Sequence, residues 1–180
     1  MNMRKHLSTW ALLSLTWLAG CTTVDIGAPP AIDRGAKWVL LPIMNHTETP
    51  QAGLRAEAII DAVLRANGVR DLRRYPANLN NETLFEALDR KQMEAARAWA
   101  KSAGARYAVA GAVDEWRYKV GIDGEPAVGI ALDVIEVNSG EVIWSGAGGK
   151  TGWSREALSG VAQRLIRQLL LPVIGAARRQ

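Results

Sequence analysis

The side chains able to do chemistry are few. The chain has one cysteine, Cys21, and two histidines, His6 and His46. Acyl transfer needs a nucleophile with a base beside it. His46 lies in Asn45-His46-Thr47-Glu48, which has no nucleophile elbow, so it reads as a loop histidine satisfied by nearby backbone. A metal needs clustered His, Cys or carboxylate ligands, and the sequence clusters none. Glycoside cleavage needs a carboxylate pair; the 18 acids offer many pairs and single out none. Gly146-Ala147-Gly148-Gly149-Lys150-Thr151 has the glycines of a phosphate loop without its first spacing, and reads as a glycine-rich strand-to-helix connection. No catalytic residue, cofactor or metal ligand is assigned.

Two patterns remain. The first is Trp153, in Thr151-Gly152-Trp153-Ser154-Arg155. Tryptophan favours a membrane–water boundary, with its ring buried and its N–H wet. Arg155 beside it would meet anionic headgroups. The same ring could instead fold back on the following helix as a hydrophobic staple, and the residues alone do not choose. The second pattern is a group of acids around one turn: Asp114, Glu115, Asp123 and Glu125. They form either a solvated hairpin or, repeated around a ring-shaped oligomer, a negative field that attracts cations.

The amino terminus reads as an address. Arg4 and Lys5 precede a mostly apolar run, Leu7 to Leu18, that is too short for a stable span. It ends in Leu18-Ala19-Gly20-Cys21, which resembles the lipobox of bacterial lipoproteins. In those proteins residues 1–20 are removed and the cysteine thiol is diacylglycerylated. Two or three acyl chains, at about 0.8 kcal/mol per buried CH₂, then hold the chain on a membrane. Thr22 rather than Asp follows the cysteine, which by resemblance to the known sorting rule favours the outer membrane. Arg4 and Lys5 leave with the signal, so the net charge of +4 falls by two. The basic pI of about 9.5 therefore leaves no polyanion footprint, and no nucleic-acid partner is expected.

These groups must be positioned by elements. A hydrophobic fraction of 48% and a charged fraction of 22% exclude wholesale disorder. Residues 21–36, with Gly27, Pro29, Pro30 and Gly35, read as a lipidated tether. Residues 37–180 form the globular part. Strands are expected at 37–44, 69–75, 106–118, 127–137 and 141–146. Helices are expected at 51–67, from Asn80 or Asn81 to 103, and from about 154 past 170. The middle helix should carry its stripe on Leu84, Leu88, Ala95 and Trp99, and the last on Leu158, Val161, Ala162, Leu165 and Leu169. Gly68 and Gly104 end two helices, and Asn138-Ser139-Gly140 makes a tight hairpin. The fold class is α/β, in its α+β form: one mixed sheet in the order β-α-β-α-β-β-β-α with helices packed on it. The early βαβ units imply parallel pairing and the late meander antiparallel pairing.

The chain is similar to the PelC family, the outer-membrane lipoproteins of the Pel exopolysaccharide export system. The similar stretches are His46-Thr47-Glu48-Thr49-Pro50-Gln51-Ala52-Gly53, Tyr75-Pro76, Gly124-Glu125-Pro126-Ala127-Val128-Gly129, and Gly152-Trp153-Ser154-Arg155 leading to Leu158-Ser159-Gly160-Val161-Ala162. The resemblance implies a non-enzymatic protein on the periplasmic leaflet of the outer membrane, anchored at Cys21. It implies a homo-oligomeric ring of twelve subunits beneath the export porin PelB. An acidic lumen, placed at Asp114, Asp123 and Glu125, would guide a cationic exopolysaccharide toward the porin during biofilm matrix secretion. Trp153 and Arg155 would touch outer-membrane lipid. The implied fold is related to the TolB amino-terminal domain and LpoB-type lipoproteins. Two rivals stand beside this reading. One is an LpoB-like activator of a peptidoglycan synthase, which would need a longer tether. The other is a periplasmic glycan hydrolase.

Overall fold

The computed structural model describes residues 22–76, 90–121 and 124–175. The strands are β1 (Thr22–Ile26), β2 (Trp38–Asn45), β3 (Leu72–Arg74), β4 (Tyr107–Tyr118), β5 (Pro126–Glu136) and β6 (Val142–Thr151). The helices are α1 (Ala52–Ala66) between β2 and β3, α2 (Arg90–Ser102) between β3 and β4, and α3 (Leu158–Gly175) after β6. All six strands join one sheet in the order β1-β6-β5-β4-β2-β3. The pairs β2–β3 and β2–β4 are parallel, and β4–β5, β5–β6 and β1–β6 are antiparallel. The expected α+β fold, a single mixed sheet with helices packed on it, is the fold observed.

The sheet has two unlike faces. On one, Val109, Val128, Ile130, Leu132 and Trp144 meet Ile60 and Leu64 of α1 and Leu165, Ile166 and Leu169 of α3 in the main core. Trp38, Trp116 and Trp144 are all buried there, which accounts for three of the tryptophans. On the other face α2 lays Ala96 and Ala100 over Val39, Leu41, Ala108 and Ile135, a smaller core. Of the expected α2 stripe, Trp99 packs against this core, whereas Ala95 is exposed and Ala96 is buried in its place. Leu84, Leu88 and the expected cap at Asn80 or Asn81 lie outside the described residues.

The helix ends follow local chemistry. Gly68, at φ +98°, closes α1, where Val69 N–H donates to the Leu64 carbonyl (3.1 Å) in a left-handed glycine stop. The hairpin at residues 138–140 forms as expected. Ser139 N–H donates to Glu136 Oε2 (2.7 Å), which holds that carboxyl below the usual carboxylate range.

Two strands differ from expectation. The order observed has one strand more at its start, because the first residues of the stretch read as a tether form β1. Val24 and Ile26 face the main core, and the pairing partner is β6, far away in sequence. Strand β6 itself runs on through the glycine-rich segment to Thr151 instead of stopping at 146. Glycine is a poor strand former, but packing demands it here. A Cβ on Gly146 would stand 2.6 Å from the Trp144 ring, and one on Gly148 would stand 2.7 Å from Val24 and 3.1 Å from Leu165. The segment is therefore strand, not the expected strand-to-helix connection.

Candidate functional site

The carboxyl end of β6 and the β4–β5 connection share one end of the sheet. Gly152 N–H donates to the Pro126 carbonyl (2.8 Å), and a side chain at 152 would collide with Val161 and Pro126. The chain then turns through residues 153–156. Glu156 N–H donates to the Trp153 carbonyl (3.0 Å), and Trp153 N–H donates to Glu156 Oε2 (3.1 Å). Arg155 takes a left-handed φ of +69° to complete the turn, which is why α3 begins at Leu158 and not near Ser154. Glu156 also holds Arg164 of α3. The Trp153 N–H is the main cause of a Glu156 carboxyl held below its usual range, with Arg164 adding to it. The turn is closed upon itself, and Trp153 is left 53% exposed.

Neighbouring groups extend this end. The Tyr118 hydroxyl donates to the Glu156 carbonyl (3.3 Å) and accepts from Leu158 N–H (3.2 Å), which ties β4 to the start of α3. Lys119 Nζ donates to Thr151 Oγ1 (3.1 Å). Tyr118, Val120 and Trp153 are three of the five large apolar residues exposed among the described residues. The exposed apolar surface is thus concentrated beside Lys119 and Arg155. At the same end Thr22, the residue after Cys21, pairs with Lys150, whose Nζ donates to Thr22 Oγ1 (2.6 Å). Cys21 itself lies outside the described residues, as does the 1–20 segment.

The acids are dispersed. Asp114 occupies the bulge where the β4–β5 register shifts between Val113 and Glu115, and its Oδ1 lies 2.8 Å from His46 Nδ1. His46 therefore meets a carboxylate, where backbone was expected. Glu115 pairs with Arg117 (3.0 Å). Glu125 is exposed just before β5, and its carbonyl accepts from Lys119 N–H (2.7 Å). Four to five residues of strand, roughly 15 Å, separate Asp114 from Glu125. Asp123 lies outside the described residues. Within one subunit these acids are interleaved with cations and make no single site.

Sequence reading passed over Glu57, the one buried charged residue described. Pro42 interrupts β2, the β2–β4 register shifts between Leu40 and Ile43, and Ile43 N–H turns to Glu57 Oε1 (3.1 Å). Arg74 Nη2 meets Glu57 Oε2 (3.0 Å). Burial raises the Glu57 carboxyl above its usual range against the pull of both partners. A proline inside a strand was the available signal, since it cannot donate to the ladder and marks a bulge, where a neighbouring amide needs another acceptor. Among the described residues no three His, Cys, Asp or Glu side chains gather as a metal site, and no helix is long and apolar enough to cross a membrane.

No protein-family model and no curated protein matches the chain. Solved structures do. Lipoprotein GNA1162 from Neisseria meningitidis is 19% identical with a TM-score of 0.52, over 74% of this chain and 94% of its own, and shares the fold. The class is therefore a small mixed-sheet α+β module of a kind also built by a bacterial lipoprotein. The PelC dodecamer from Paraburkholderia phytofirmans is 45% identical with a TM-score of 0.72, over 84% of this chain and 96% of that one. A single-substitution variant of it, also a dodecamer, gives 44% and 0.73, over 85% and 98%. The chain belongs to the PelC family.

Proposed function

We propose that the chain is a non-enzymatic outer-membrane lipoprotein, acylated at Cys21 on the periplasmic leaflet, that assembles as a ring. The ring guides a cationic exopolysaccharide to the export porin PelB in biofilm matrix secretion. The observation that carries this reading is the shared end of the sheet. Thr22 pairs with Lys150, and Trp153 follows three residues later. Thr22, the residue after the proposed anchor, and the exposed Trp153 therefore stand at one end of the sheet, which also carries Tyr118, Val120, Lys119 and Arg155. Aromatic rings with nearby cations suit a headgroup boundary. Relatives that are dodecamers support a ring of twelve. Repetition would turn the scattered carboxylates Asp114, Asp123 and Glu125 into belts whose potentials sum within a Debye length of about 8 Å.

The test uses the acylated chain on vesicles of outer-membrane lipid, together with polymer export in cells. Trp153→Ala is expected to weaken vesicle binding several-fold and to lower export, with unchanged thermal melting. Glu125→Gln with Asp114→Asn is expected to lower export while the native mass is kept. Normal export by the tryptophan variant would remove Trp153 from the membrane contact. Normal export by the acid variant would remove these acids from the path of the polymer.

A further inference from the structure

The smaller core under α2 is not filled. Between the helix and the sheet lies a cleft of about 170 Å³ whose floor is Leu41, Ala100, Ala108, Ile135 and Val137, all buried. Ala108 stands beside Ile135 across β4–β5, and Ala100 and Ala108 are too short to close the gap. Protein interiors keep few voids larger than a water molecule, because the lining atoms lose contacts across the gap. The charged part of the lining is two exposed cations of α2, Arg97 and Lys101. They are four residues apart on one helix face, where like charges repel. Neither makes a hydrogen bond or an ion pair among the described residues, and Glu94, the one acid of α2, pairs with neither. No Asp or Glu lines the cleft. Glu136, next to Val137, is opposite Tyr107 of the main core and so lies on the other face of the sheet.

Void and charge pair both weaken the empty fold, and one ligand would relieve both. We infer that the cleft binds a small amphiphilic carboxylate, a free medium-chain fatty acid. Its chain lies along Leu41, Ala108, Ile135 and Val137, and its carboxylate accepts from Arg97 and Lys101 in charge-assisted hydrogen bonds. An apolar cavity of this size takes a guest of about six carbons, far short of a lipid with two acyl chains. The nearly sealed floor admits a slim unbranched chain and not a segment of protein. The cleft is also remote from Trp153. It lies where β4 begins and β5 ends, and ten residues of β4, roughly 33 Å, separate Ala108 from Tyr118 beside the 153–156 turn. The site therefore needs neither the membrane contact nor the ring.

The experiment titrates sodium octanoate into the full acylated chain in phosphatidylcholine nanodiscs, with empty nanodiscs as the blank. Binding is read by calorimetry and by the methyl resonances of Ala100 and Ala108. Saturable binding that shifts both methyls is expected. Affinity should rise roughly fourfold per methylene from butanoate to hexanoate and level off by decanoate, whose chain outgrows the cleft. Octanol, which lacks the charge, should bind about tenfold more weakly. Arg97→Gln combined with Lys101→Gln should bring octanoate down to the level of octanol while melting no lower than the unmodified chain. Ala100→Leu, which fills the cleft, should abolish binding. Absence of saturable octanoate binding at millimolar concentration, equal binding of octanol, or full affinity in the charge variant would each overturn the site.

Discussion

At the scale of single residues, the carboxylates earn different roles from their surroundings. Glu57 supplies the acceptor that the Ile43 amide lacks at the register shift beside Pro42. Glu57→Ala strands a buried amide and parts Arg74 from its partner, so a loss of about 1–3 kcal/mol is expected, read as a lower denaturant midpoint. Glu156 works by charge at the surface. Its folded pKa lies below the unfolded one because Trp153 N–H and Arg164 favour the carboxylate. The stabilisation is therefore present at neutral pH and is lost as the pH falls through that depressed value. Acid below the usual carboxylate range is expected to loosen the 153–156 turn, seen as a shift of the Trp153 amide resonance. Glu156→Gln should abolish that titration.

At the scale of elements, β6 shows how one strand answers two demands. Gly148 faces inward and Gly149 outward. Gly148→Val would push against Val24 and Leu165, and overpacking of this kind costs about 1–3 kcal/mol. A lower melting temperature is the expected reading. This is also where the sequence was least legible. The stripes of α1 and α3 and the turn at residues 138–140 are local patterns, written in neighbouring residues. The continuation of β6 is not, because glycine signals a loop unless one knows which ring will lie across it. Strand β1 was hidden for a related reason: five residues carry little pattern of their own, and the strand that pairs with them lies more than a hundred residues on.

At the scale of the molecule, the candidate residues were legible by type, and their arrangement was not. Trp153 stands out as an exposed aromatic beside an arginine, and Cys21 by its place after an apolar run. That Thr22, the residue after Cys21, lies at the same end of the fold as Trp153 depends on its meeting Lys150, a contact across 128 residues. The acids were read as one cluster around a turn, and the bulge at Asp114 with the length of β4 spreads them along the strand.

The β1–β6 pairing also decides how the body is moored. Under the proposed acylation only a single peptide link separates the greasy anchor from a strand laced into the sheet, so the tether has no slack. Tension on the acyl chains would run lengthwise along β1 and load its ladder rungs together, in shear, instead of unzipping them one after another. Anchored in that way, the edge strand would serve as a cleat: the fold would ride close to the bilayer and transmit any pull from it straight into the sheet.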